Sequence, residues 1–259
     1  MGNRVLIFAE ALDVATEGAV WYARLIGGGT FEALHVPSKH SDTGIHARWF
    51  DYTGGEPRLD IRPPGTDPLQ AVLGEIARLR DGDSVVTVVL PEQFTKRSFV
   101  AAAQRSQFRL KLRLLTEPGV VVADVPAVTS ERRPEGRVPE RLSVRVLVRK
   151  LDAAARAAVA YARLLGVEDV RAVAFGEREW GEADVGLPLD DAPGGEKLRD
   201  AVLGYVRELT ADPATAVNVV LPERLQANLK LLRSRQALEV KRCLLFEPHV
   251  ILSSVPHRD

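Results

Sequence analysis

The chain has 259 residues, with 35 basic and 35 acidic side chains and a formal net charge of zero. That balance argues against binding nucleic acid through wholesale phosphate neutralisation. A single cysteine, Cys243, excludes an internal disulfide and a cysteine-built metal cage. No apolar run approaches the ~18 residues of a membrane span, and the first strand pattern begins without a signal peptide, so a cytoplasmic location is expected.

In chain order, Arg4–Ala9 is a continuous apolar run, the mark of a strand covered on both faces. A helical pattern follows from Asp13, a suitable N-cap, to Ile26, where Gly27-Gly28-Gly29 stops it. Thr30–Val36 reads as a second strand. Residues 37–57 are polar, mix glycines with Trp49, Phe50 and Tyr52, and show no clear periodicity, so a long functional or mobile segment is expected. A short strand at 58–61 precedes a helix from Asp67-Pro68, an N-cap with proline at N1, to Arg80. Val85–Leu90 is the next central strand, 96–115 a long helix, and 120–123 the fifth strand.

The same order then returns. Val88-Val89-Leu90-Pro91-Glu92 recurs 131 residues later as Val219-Val220-Leu221-Pro222-Glu223. Asp124-Val125-Pro126 recurs 130 residues later as Ser254-Val255-Pro256, and Tyr22-Ala23-Arg24-Leu25 as Tyr161-Ala162-Arg163-Leu164. Strands are expected near 144–149, 169–175, 186–189, 216–221 and 249–253, and helices near 152–165, 196–210 and 225–245. The chain is therefore a tandem duplication: repeat one at 1–127, a charged, proline-containing linker at 128–141, and repeat two at 142–259.

Five strands alternating with helices predict an α/β fold with two tandem five-stranded open parallel sheets in the order 3-2-1-4-5, flanked by helices. Such sheets bind ligands outside the carboxyl ends of their strands, where strand order reverses, here between the first and fourth. In repeat one that region holds Glu10, Asp13, Val36, Leu90, Pro91 and Glu92; in repeat two it holds Arg149, Asp152, Leu221 and Glu223. Lys111 and Lys241 recur on the last helices. They are read either as anion ligands or as part of a solvated helix face. Asp13 and Asp152 read as helix caps, and Glu92 and Glu223 as ligand-facing carboxylates or as partners of the next helix dipole.

Leu12-Asp13-Val14-Ala15-Thr16, Val86–Glu92, Leu110–Leu115 and Pro118–Pro126 carry a resemblance to a known family. The order of elements resembles the universal stress protein fold. The blocks themselves are similar to the cytosolic C-terminal domain of bacterial permeases of the amino-acid/potassium type. Repeat two is similar through Leu151-Asp152, Leu221-Pro222-Glu223, Lys241 and Val255-Pro256. The resemblance implies an adenine-nucleotide ligand, ATP in stress proteins and cyclic di-AMP in the potassium importers. It also implies a domain that works as a dimer, which a tandem could imitate as an intramolecular pseudo-dimer, with or without further homodimerisation.

The glycine-rich phosphate loop of the ATP-binding stress proteins is absent. Leu90-Pro91-Glu92-Gln93-Phe94 and Leu221-Pro222-Glu223-Arg224-Leu225 stand in its place. Cyclic di-AMP is therefore placed ahead of ATP. The expected function is a non-enzymatic regulatory module. The alternative is a protein-interaction subunit that docks on a permease without a small ligand. No Ser-His-Asp order, nucleophile elbow or P-loop occurs. His35, His40 and His46 with Asp42 and Asp51 lack metal-ligand spacing and have no counterpart in repeat two.

Overall fold

The computed structural model describes residues 2–37, 44–94, 106–128, 139–176, 178–192, 197–225 and 235–258. It divides into two compact units, residues 1–131 and 132–259.

In unit one the strands are β1 (Asn3–Ala9), β2 (Glu32–His35), β3 (Leu59–Ile61), β4 (Val85–Phe94) and β5 (Val120–Val128). They are neighbours in the order β3-β2-β1-β4-β5, and every pairing is parallel. The helices are α1 (Val14–Ile26), α2 (Ile45–Thr53), α3 (Pro68–Leu79) and α4 (Ser106–Leu114). Parallel strands must be covered on both faces. Here Leu6, Phe8, Leu34, Val86, Val88, Leu90, Val120 and Val122 pack with Ala71, Val72 and Ile76 of α3 and Leu110 and Leu114 of α4. The apolar side of α1, with Ala15, Ala19, Val20, Ala23 and Ile26 buried, covers the opposite face of β1, β4 and β5.

The start and stop of α1 follow from its sequence. Asp13 accepts hydrogen bonds from the amides of Ala15 (2.9 Å) and Thr16 (3.3 Å), and its own amide donates to the Thr16 hydroxyl (3.2 Å). This reciprocal box satisfies donors that the first helical turn leaves orphaned. At the far end a Cβ on Gly27 would lie 2.1 Å from the Thr30 carbonyl oxygen, so only glycine permits the exit. Asp67 caps α3 by accepting from the Leu69 amide at 2.8 Å, with Pro68 at N1.

Unit two repeats the plan. Its strands are β6 (Arg141–Val148), β7 (Asp169–Ala174), β8 (Leu189–Asp191), β9 (Thr215–Leu225) and β10 (Val250–Arg258). Their order is β8-β7-β6-β9-β10, again all parallel. Its helices are α5 (Ala153–Leu164), α6 (Glu182–Val185), α7 (Leu198–Leu209) and α8 (Arg235–Leu244). Asp152 caps α5, accepting from the Ala155 amide at 2.9 Å.

Three expectations change. First, the polar segment 37–57 contains α2. Its buried positions, Ile45, Trp49 and Thr53, recur every four residues beneath a polar face, which hid the helix in the composition. Trp49 donates to the Pro57 carbonyl oxygen (2.7 Å) and meets Phe31 edge-on, and Arg24 donates to the Thr53 carbonyl oxygen (2.7 Å). His40 and Asp42 lie outside the described residues. Second, β4 does not end at Leu90, nor β9 at Leu221. Both strands run on through the Pro-Glu pair, matched by longer β5 and β10 strands. Third, α6 has no counterpart in the expected elements. Of the long helices expected at 96–115 and 225–245, residues 95–105 and 226–234 lie outside the described residues. No helix among the described residues is long and apolar enough to cross a membrane.

Candidate functional site

The strand extensions decide where the conspicuous glutamates point. Side chains on one face of a strand recur every second residue. Val86, Val88 and Leu90 face α3 and α4, so Glu92 continues that row, and Asp124 continues Val120 and Val122 on β5. Lys111 reaches both from α4. Its Nζ lies 2.7 Å from a Glu92 carboxylate oxygen and 2.8 Å from Asp124. All three are buried. In unit two Lys241 of α8 pairs with Glu223 and lies 2.5 Å from the Ser254 hydroxyl, and these three are buried as well.

Lys111 and Lys241 are thus not on a solvated helix face. Nor do Glu92 and Glu223 sit in a turn before a helix; both lie within strands, and their partner is lysine. Burial alone would push the Lys111 ammonium down, but the Asp124 and Glu92 carboxylates more than reverse this and hold it above the usual lysine range. These clusters clamp the carboxyl ends of two strands to a helix.

The open feature is elsewhere. Unit two has a cavity of about 440 Å³ at the carboxyl ends of β6 and β9, the crossing point expected from strand order. Leu221, Pro222, Phe175 and Val240 supply apolar walls, and Arg149, Lys150, Asp152 and Arg224 supply charge. Asp152 is engaged twice, by the Ala155 amide and by the Arg224 guanidinium. Burial opposes its ionisation, but those two donors outweigh it and hold the carboxyl below the usual range. Arg149 and Lys150 are exposed, and neither is ion-paired among the described residues. The site can therefore take an anion against two available cations, with a flat apolar group against Phe175.

The corresponding positions of unit one differ in kind. Glu10 stands for Arg149, Ala11 for Lys150, Gln93 for Arg224 and Val36 for Phe175. Glu10 is exposed, Val36, Leu90 and Pro91 are buried, and Asp13 is committed to its helix cap. The sequence reading placed Arg149, Asp152 and Leu221 at this site but passed over Lys150, Phe175 and Arg224. Their signal was present in the repeat alignment, as positions where the two copies differ in charge or ring.

The histidines do not converge. His35 is buried, and its Nδ1 lies 2.8 Å from the Ala9 carbonyl oxygen, which marks Nδ1 as the protonated nitrogen. Burial lowers its pKa, an effect the Ala9 bond only partly offsets. His46 is exposed. Among the described residues no cluster of His, Cys, Asp and Glu could hold a metal ion.

No curated protein matches the chain. The family model of the KimA potassium transporter C-terminal domain does match, at residues 2–127 and again at residues 140–257. Nearly the whole chain is covered, once in each unit, and the chain belongs to the family of KimA potassium transporter C-terminal domains.

Proposed function

We propose that this chain is a non-enzymatic, cytoplasmic regulatory module of potassium transport that binds an anionic adenine nucleotide, with cyclic di-AMP ahead of ATP. Membership of a transporter-domain family supports the link to transport. The observation that carries the ligand reading is the unit-two cavity, where the unpaired Arg149 and Lys150 stand beside Phe175. Its volume falls within the roughly 300–1,000 Å³ of small-molecule sites. Two cations suit phosphodiester charge, and Phe175 with Leu221 and Val240 suits a purine face. ATP ranks second because Pro222 stands where a phosphate-binding loop would offer backbone amides, and proline has none. In this reading Glu92, Lys111, Glu223 and Lys241 position the strand ends rather than touch ligand, and regulation passes through docking on a permease.

Calorimetric titration of the purified chain with cyclic di-AMP, ATP and cyclic AMP tests the reading. Saturable heat is expected with cyclic di-AMP. Absence of heat with all three would remove the nucleotide from the function and leave a protein-docking role.

A further inference from the structure

We propose that the duplication has divided labour: unit two holds the molecule's single anion site, and the equivalent cleft of unit one refuses anions. The two units share strand order and helix caps, so their clefts are built on the same backbone plan. What differs is charge. In unit two Arg149, Lys150 and Arg224 stand against Asp152, leaving two net positive charges. In unit one Glu10 and Asp13 stand with Ala11 and Gln93 and leave two net negative charges. A phosphorylated ligand meets attraction in one cleft and repulsion in the other, and low-dielectric walls strengthen both effects.

The buried lysines do not blur this contrast. Lys111 and Lys241 are already held by carboxylates within their own units and have little exposure to either cleft. Arg224 is anchored by Asp152, which leaves Arg149 and Lys150 as the residues that set the preference. Both are exposed, so replacing them does not open a core.

The inference rests on the nucleotide reading for the organic half of the ligand, but not for its charge. Inorganic tripolyphosphate is therefore the probe, titrated beside cyclic di-AMP into three proteins checked for fold by circular dichroism. They are the unaltered chain, Arg149→Glu with Lys150→Ala, and Glu10→Arg with Ala11→Lys and Gln93→Arg. The unaltered chain is expected to bind one equivalent of tripolyphosphate. The first variant should bind about tenfold more weakly for each cation lost. The second should gain a second equivalent.

Two equivalents on the unaltered chain, no binding at millimolar concentration, or an affinity unmoved in the first variant would each overturn the proposal. Tripolyphosphate bound in unit two without any nucleotide binding would sustain it while removing the nucleotide reading. Cyclic di-AMP bound equally well by the first variant would do the reverse.

Discussion

Asp124 of β5 and Ser254 of β10 occupy the same place in the two units, and each touches the buried lysine of its own last helix. Lys111 lies 2.8 Å from Asp124, and Lys241 lies 2.5 Å from Ser254. Unit one therefore buries two carboxylates around one ammonium, where unit two buries one.

Removing the lysine should be more damaging in unit one. A buried pair broken at one partner typically costs about 3–5 kcal/mol, because the charge left behind has no compensation. Lys241→Met leaves Glu223 alone, and Lys111→Met leaves both Glu92 and Asp124. Urea unfolding should place Lys111→Met as the less stable. The double change Glu223→Leu with Lys241→Met should recover to within about 1 kcal/mol of the parent, since an apolar replacement of a whole buried pair is often neutral. Equal, small losses from both single changes would contradict the buried clamp.

Stability should fall at both ends of the pH range for assignable reasons. The Lys111 pKa is raised in the folded chain, so its contribution is complete below the ordinary lysine value of about 10.4 and declines as pH rises through the folded value. The Asp169 carboxyl runs the other way. Burial opposes its charge, but Arg145 (2.9 Å) and the Ser143 hydroxyl (2.6 Å) hold its pKa down. Its contribution is complete above about pH 3.9 and is lost as pH falls through the lowered value. Thermal melts from pH 3 to 11 should show Asp169→Asn with a shallower acid limb and an unchanged alkaline one.

The lone thiol should be slow to react. Burial pushes the Cys243 pKa up to about 11, and its Sγ lies 3.1 Å from the Val240 carbonyl oxygen. Little thiolate then exists at neutral pH, and thiolate is the reactive form. A chromogenic disulfide reagent at pH 7.5 should label the native chain far more slowly than the urea-unfolded one. Comparable rates would show that the thiol is open.

Gly119 and His249 are equivalent turns, each in the left-handed region (φ 68° and 58°). Each offers its carbonyl to the fourth strand of its unit, Gly119 to the Val86 amide and His249 to that of Val217. Gly119→Ala should cost about 1 kcal/mol, since a Cβ is strained there. His249→Gly should be nearly neutral, because relief of strain and the entropy of a freer unfolded chain offset one another. A chemical denaturation series on the two single changes measures both.

The amino-acid sequence determined the elements and their repetition. Apolar runs marked Arg4–Ala9 and Val85–Leu90, and Asp13, Asp67 and Asp152 marked helix starts, because capping and strand burial act over a few residues. The repeat offset and strand-order rules then located the carboxyl-end crossing where the unit-two cavity lies. Tertiary structure decided what each polar residue does there. Glu92 and Lys111 are 19 residues apart and read as exposed until the extension of β4 and β5 turns them inward. Likewise Trp49 holds a helix within a segment of polar composition through partners at Phe31 and Pro57. Arg149 is a cation of the cleft because nothing folds against it, while Arg224 is tied to Asp152, 72 residues earlier. Pairing over such distances depends on which side chains the sheet brings to one face, and no local pattern encodes it.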